Sequence, residues 1–377
     1  MTQLDQAWES FLASLAAAKD VVTGPLGGRD DRELAEGLRH VTRLTSVALE
    51  MIVEKGDPAH PEITRWMSPW RKLMGDNPGT IYDAALISPE FTYEISGEIG
   101  DADYLGICIY GTSADGSRRV ATSVDREIAY DDGRFTLVLA ATRPSDLPEG
   151  ATFVELPEDA TDLLIRQYFR ATDRGEASYD IRVLPEAGPP PALDGDVLAT
   201  RLIRAGEWVR DLIEVEATVS ALSESGAPEQ MKAPSKTGTR EVGEIDWNVI
   251  NRVQPTPAMD YSGAWFADLA DDEAILVEGV LPECDYFSVQ WLSRWMESGD
   301  YHHHTVALSG EEIATDGDGR FTVVIAHHDP GVPNWISTTG IRHGNAVGRA
   351  LHAAEPAQIT FRRARLAEES QDPAEES

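Results

Sequence analysis

Two stretches decide the fold when they are set side by side: YEISGEIGDADYLGICIYG, residues 93–111, and LVEGVLPECDYFSVQWLSR, residues 276–294. Gly97 falls on Gly279, and Asp103-Tyr104 falls on Asp285-Tyr286. Further on, AYDDGRFTLVLAATRP (129–144) matches ATDGDGRFTVVIAHHDP (314–330), with Gly133-Arg134-Phe135 on Gly319-Arg320-Phe321. FVELPEDATDLLIRQYFRA (153–171) matches WISTTGIRHGNAVGRALHA (335–353) more loosely. The three blocks keep one order at an offset of 182 to 186 residues. Self-similarity at a fixed period marks a duplicated structural unit.

Within each copy the segments are short, rich in β-branched and aromatic residues, and separated by Gly and Asp, as strands are. The DDGRF and DGDGRF turns suit hairpins, because Asp and Gly tolerate positive φ. The expected fold is mainly β with helical additions: two tandem jelly-roll-like antiparallel β-sandwiches, residues 76–187 and 261–367. The flanks are different. Leu4, Trp8, Phe11, Leu12 and Leu15 recur at helical spacing, as do Leu34, Leu38, Val41 and Leu44. Residues 1–75 therefore read as an N-terminal helical segment containing a hairpin. In the linker, residues 188–260, Leu198, Leu202, Ala205, Val209 and Leu212 mark an inter-repeat helix. The end, 368–377, is an acidic tail expected to be disordered.

The charge bounds the function. The 65 Asp and Glu outnumber 32 Lys and Arg in 377 residues, a formal net of −33. Such a surface repels phosphate backbones and anionic lipid heads, so nucleic acid and membrane surfaces are not expected partners. A small-molecule substrate is expected, and a homo-oligomer is possible. No apolar run reaches a membrane span of about 18 residues, and the start lacks the basic and apolar regions of a signal peptide. Cys108 and Cys284 read as free thiols, which with the absent leader points to the cytoplasm.

GDNPGTIYDAALISPEFTYEISG (75–97), DEAILVEGVLPECDYFSVQW (272–291), ESGDY (297–301) and HHDPGVPNWI (327–336) resemble the family catalogued only as "domain of unknown function twelve-fourteen". That family often accompanies a partner called "twelve fifty-four". The resemblance spans roughly residues 70–365, and its most specific pieces are Asp76-Asn77-Pro78 and Asp329-Pro330-Gly331 with Asn334-Trp335. It implies a β-sandwich, jelly-roll-like fold and carries over no catalytic residue.

Seven of the nine histidines lie from residue 302 onward: His302, His303, His304, His327, His328, His343 and His352. Where the second copy has HHHTVALS (302–309), the first has SRRVATS (117–123); where it has HHDP (327–330), the first has ATRP (141–144). Folding of the unit does not require imidazoles that its first copy lacks, so the difference points to a site in the C-terminal half. If these residues lie in strands, alternate ones share a face. His302 or His304 would then meet His327 or His328 at a pocket edge. Asp300, Asp329, Glu297 and Tyr301 are candidate acids or imidazole-orienting groups, and Arg294 a candidate anion holder. Trp291, Trp295 and Trp335 are candidate walls for a cyclic substrate, or ordinary core. In the first copy Asp76, Asn77 and Tyr82 form the distinctive polar set, or a simple Asn-Pro turn.

The function expected is an enzyme acting on a small apolar or cyclic molecule (a glycoside, steroid or aromatic) by His and carboxylate acid–base hydrolysis, elimination or isomerisation. A non-catalytic binding or assembly protein is the alternative. A divalent metal held by three imidazoles is a third reading, although no metal motif of strong specificity is present. Lys236 and the serines of SES and PSKTG sit in no recognisable nucleophile setting.

Overall fold

The computed structural model describes residues 2–112, 118–170, 175–224 and 258–366. Lys236, PSKTG and the acidic tail lie outside these residues. Helices α1 (Gln3–Thr23) and α2 (Asp31–Ala48) form the N-terminal hairpin, and α3 (Gly195–Glu224) lies between the two strand groups. Thr2 and Asp5 close a capping box on α1, and Asp30 caps α2 by accepting from the Glu33 N–H.

The first group runs β1 (Thr64–Arg65), β2 (Thr80–Leu86), β3 (Thr92–Glu98), β4 (Tyr104–Thr112), β5 (Arg118–Val124), β6 (Tyr130–Asp131), β7 (Arg134–Ala140), β8 (Thr152–Glu155), β9 (Ala160–Tyr168) and β10 (Ser178–Leu184). The second runs β11 (Met259–Phe266), β12 (Glu273–Val280), β13 (Tyr286–Ser293), β14 (Ala307–Ser309), β15 (Arg320–Ala326), β16 (Trp335–Ser337), β17 (Gly344–Leu351) and β18 (Ile359–Arg365). Sheet order is β1-β2-β9-β4-β5 over β10-β3-β7-β6 in the first group, and β11-β17-β13-β14 over β16-β15-β12-β18 in the second. β2-β9-β4-β5 corresponds strand for strand to β11-β17-β13-β14, and β10-β3-β7 to β18-β12-β15. Among the described residues pairing is antiparallel except for one short parallel pair in each copy, β7–β8 and β15–β16.

Register carries the repeat to single residues. Gly97 pairs with Phe135, and Gly279 with Phe321. Gly133 and Gly319 occupy equivalent turns at φ 78° and 76°, a left-handed conformation that costs other L-residues roughly 1–2 kcal/mol. Each sandwich buries its own apolar core. The first holds Tyr93, Ile95, Ile107, Leu137 and Ile165, and the second Ile275, Val289, Trp291, Val323 and Ile325. The copies meet through tyrosines: the Tyr168 ring lies 5.0 Å from Tyr286 and 5.4 Å from Tyr104. Asp285 completes the junction, 2.7 Å from both Arg126 and His352.

The helices seal one face of this pair. Phe11, Leu44, Leu202, Val209 and Ile213 share a core with Tyr82, Ala84, Leu86 and Leu164 of the first sandwich. Val219 of α3 packs on Trp265, Leu292 and Val347 of the second. Two apolar stripes turn differently from the periodic reading. On α1 the buried residues are Ala7, Phe11, Ser14, Ala18 and Val22, which leaves Leu4, Trp8 and Leu12 exposed. On α2 Leu38 is exposed, because Gly37, His40, Val41 and Leu44 take the inner face. Gly37 is small for a reason: a Cβ there would come within 2.5 Å of the Trp295 ring.

Candidate functional site

The β13–β14 connection, residues 294–306, is the longer counterpart of the β4–β5 connection, residues 113–117. It carries Glu297, Asp300, Tyr301 and the three histidines. Residues 301–304 form a turn rather than a strand. Asp300 organises it: its carboxylate accepts from the His302 N–H at 3.0 Å and lies 2.8 Å from His303 Nδ1, and the His304 N–H donates to the Asp300 carbonyl at 3.1 Å. The strand alternation expected for His302–His304 therefore does not apply, and all three imidazoles, each exposed, line one cleft of about 560 Å³.

The opposite wall comes from α2. Arg32, Glu36, Arg39 and Arg43 recur at helical spacing and line the cleft, together with Trp70 and Lys72 from the segment before β2. Trp70 is 71% exposed, unusual for so large an apolar ring, and its ring lies 5.0 Å from that of His302, tilted by 46°.

Beneath the cleft lies a buried charge network that pins the 294–299 segment. His40 is fully buried, with Nδ1 2.8 Å from Glu297 and Nε2 in a short contact with Glu216 of α3. Burial alone would lower the His40 pKa. The negative charges of Glu216 and Glu297, with a hydrogen bond to each, outweigh it and hold the imidazolium up to about 10. Burial would raise the Glu297 carboxyl, but His40 and Arg43, the latter 2.5 Å away, keep it below its ordinary value. Glu297 is thus committed to its partners rather than available as a free acid. Arg294 is likewise spoken for: it is 3% exposed and pairs with Glu33 at 3.2 Å. Glu33 also lies 2.8 Å from His343.

Two distant motifs dock here. Asp76 accepts from the Ser298 N–H at 2.8 Å and from its hydroxyl at 2.6 Å. The Lys72 ammonium donates to the Ser298 hydroxyl and carbonyl, each at 3.0 Å, and sits 4.4 Å over the Tyr301 ring. Desolvation raises the Asp76 carboxyl and lowers the Lys72 ammonium. Asn77 donates to the Tyr286 hydroxyl at 2.9 Å. GDNPG and ESGDYHHH, far apart in sequence, are the two sides of one ridge. Tyr82 is buried between α-helices and sandwich, where desolvation raises its hydroxyl pKa, and it does not line the cleft.

Several expected residues lie elsewhere. His327 bonds Thr338 and the Leu269 carbonyl, 2.9 Å away, and so fixes two loops of the second sandwich instead of meeting His302 or His304. His328 and Asp329 are exposed, and Asp329 only turns the chain by accepting from the Gly331 N–H at 2.8 Å. Trp291 and Trp295 are 1% and 0% exposed and belong to cores rather than to a substrate wall. The Trp295 indole donates to the Glu33 carbonyl at 2.9 Å. Trp335 packs on Ala274, Leu276 and Val324 at the other sheet. Among the described residues no three His, Cys, Asp or Glu converge as metal ligands. Arg32, Arg39, Arg43, Trp70 and Lys72 were not anticipated, although the Arg32, Arg39 and Arg43 spacing of seven and four residues is a legible helical stripe.

No family model and no curated protein matches the chain. Among solved structures, an uncharacterised protein from Burkholderia cenocepacia is 27% identical over 96% of this chain and 98% of its own, with a TM-score of 0.85. A Vibrio parahaemolyticus protein is 12% identical over 96% of this chain and 100% of its own, with a TM-score of 0.46. Among the described residues no helix is long and apolar enough to cross a membrane. The helical hairpin and both sandwiches thus have a solved counterpart of near-equal extent.

Proposed function

We propose that the protein binds a small organic anion in the cleft between α2 and the 297–304 turn. One observation carries this: in a chain of net charge −33 the cleft is lined by Arg32, Arg39, Arg43, Lys72 and three imidazoles against Glu36, Glu297 and Asp300, and with Arg32 paired to Glu36 and Arg43 to Glu297 it is Arg39 that stands exposed with no ion-pair partner among the described residues. A cleft with low-dielectric walls focuses the field of such an uncompensated charge. Arg39 is exposed, so its guanidinium can meet a carboxylate two bonds at a time. The exposed Trp70 ring offers a face to the apolar body of the same molecule. Titration calorimetry with benzoate and its uncharged analogue benzamide tests the reading. Benzoate is expected to bind, benzamide not, and Arg39→Glu to weaken benzoate at least tenfold, the loss of one charge-assisted contact. Equal binding of the two probes, or of neither, would contradict it.

A second reading, acid–base catalysis on the bound anion, is favoured by the His303–Asp300 pair. Asp300 engages Nδ1 of this cleft-lining ring and leaves Nε2 without a partner among the described residues. If so, cleavage of mono-4-nitrophenyl succinate should be lost in His303→Gln while benzoate still binds. Activity that survives His303→Gln would remove this reading and leave the first in place.

A further inference from the structure

A second cleft of about 370 Å³ adjoins the first, and His304 lines both. Neighbouring residues bound the two. Asp76 bonds Ser298 on the first-cleft side, and the next residue, Asn77, bonds Tyr286 on the other. Tyr301 lines the second cleft while its ring carries Lys72, which lines the first. The two chambers differ in character. Pro78, Ile81, Phe169, Tyr286, Val306 and Leu308 give the second an apolar lining. Its charged lining is Arg170, Glu176 and Glu312, two carboxylates to one guanidinium, so it repels the anion that the first attracts. Gly79 keeps the wall open, because a Cβ there would come within 2.7 Å of the Tyr286 hydroxyl.

We infer that the ligand is a carboxylate amphiphile: its head is held by Arg39 of α2, and its hydrocarbon body passes His304 into the second cleft. The inference rests on the anion reading of the first cleft and adds the chemistry of the rest of the molecule. Both chambers fall within the usual size of small-molecule sites, roughly 300–1,000 Å³. A charged end and an apolar end placed in adjoining chambers fix orientation as well as affinity.

The test is titration calorimetry of the full chain with butyrate, hexanoate and octanoate, in the wild type, Arg39→Glu and Thr305→Trp. Thr305 is exposed and lines only the second cleft, so an indole there obstructs it without disturbing a core. In the wild type the dissociation constant should fall about fourfold for each added methylene, the transfer value for a buried CH₂. Arg39→Glu should weaken all three ligands alike. Thr305→Trp should flatten the dependence on length and leave butyrate unchanged. If Arg39→Glu weakens every ligand but the wild type shows no length dependence, the second cleft is not the tail site and the anion site stands. If none of the carboxylates binds, both fall. If Thr305→Trp melts below the wild type, Ala307→Leu, from the same lining, replaces it; a length dependence that survives obstruction overturns the inference.

Discussion

Removing the imidazole of His40 is the sharpest perturbation the fold offers. In His40→Ala, Glu216 and Glu297 remain, 2% and 4% exposed, without the cation between them. Two hydrogen bonds to charged groups are lost, each worth about 1.5–3 kcal/mol. Deleting one partner of a buried ion pair costs about 3–5 kcal/mol, since the remaining charge is stranded. The two routes agree on ~4 kcal/mol, a large share of a domain's usual stability of about 5–15 kcal/mol. The pH dependence has a fixed sign. The folded pKa of about 10 stands above the unfolded value of 6.5, so the contribution is whole below pH 6.5 and is lost as pH rises through about 10. Guanidinium unfolding of wild type and His40→Ala at pH 6, 8 and 10 measures it. The difference should be largest at pH 6 and shrink steadily upward. A variant within about 1 kcal/mol of wild type at pH 6, or a difference that widens with pH, would refute the idea that an imidazolium links α2, α3 and the 294–299 segment.

Other outcomes follow from the same contacts. Gly133→Ala and Gly319→Ala should each cost about 1–2 kcal/mol and cost nearly the same, because their added Cβ atoms meet nothing closer than 3.9 and 3.8 Å and only the positive φ is penalised; unequal losses in chemical denaturation would break the equivalence of the copies. Trp291→Ala should cost about 3–5 kcal/mol as a core truncation, and retention of full stability in the same assay would return Trp291 to the list of binding residues. Trp70→Ala, by contrast, should stay within about 0.5 kcal/mol of wild type yet weaken benzoate, and unchanged benzoate affinity would remove the ring from the site.

The repeat was legible because strand pairing and tight turns leave local marks. Gly133 and Gly319 answer to a backbone angle, and Gly97 and Gly279 to a register position, so both survive in the sequence as matched letters. The histidine triplet was visible for its composition, but its geometry was not. A strand reading of 302–304 assumes that the copies match in length there, whereas the second copy has a longer connection organised by Asp300. The cleft's other wall was harder to see. It comes from α2, and the apolar period of that helix draws attention to Leu38 and Leu44 rather than to Arg32, Arg39 and Arg43. His40 lay unremarked among them, because a lone histidine in a helix says nothing of the two glutamates, 176 and 257 residues away, that tertiary packing brings to it. For the tryptophans the sequence leaves wall and core both open, and packing decides for core at Trp295, which fills the space that Gly37 leaves open.

The measurement that bears most directly on the site is an anomalous-scattering crystal structure of the protein soaked with 4-bromobenzoate. A bromine peak is expected in the cleft bounded by Trp70, His302 and Arg43, with the carboxylate on Arg39. A bromine bound only in another cavity, such as the groove beside Val332 and Pro333, or no peak in crystals soaked to saturation, would contradict it.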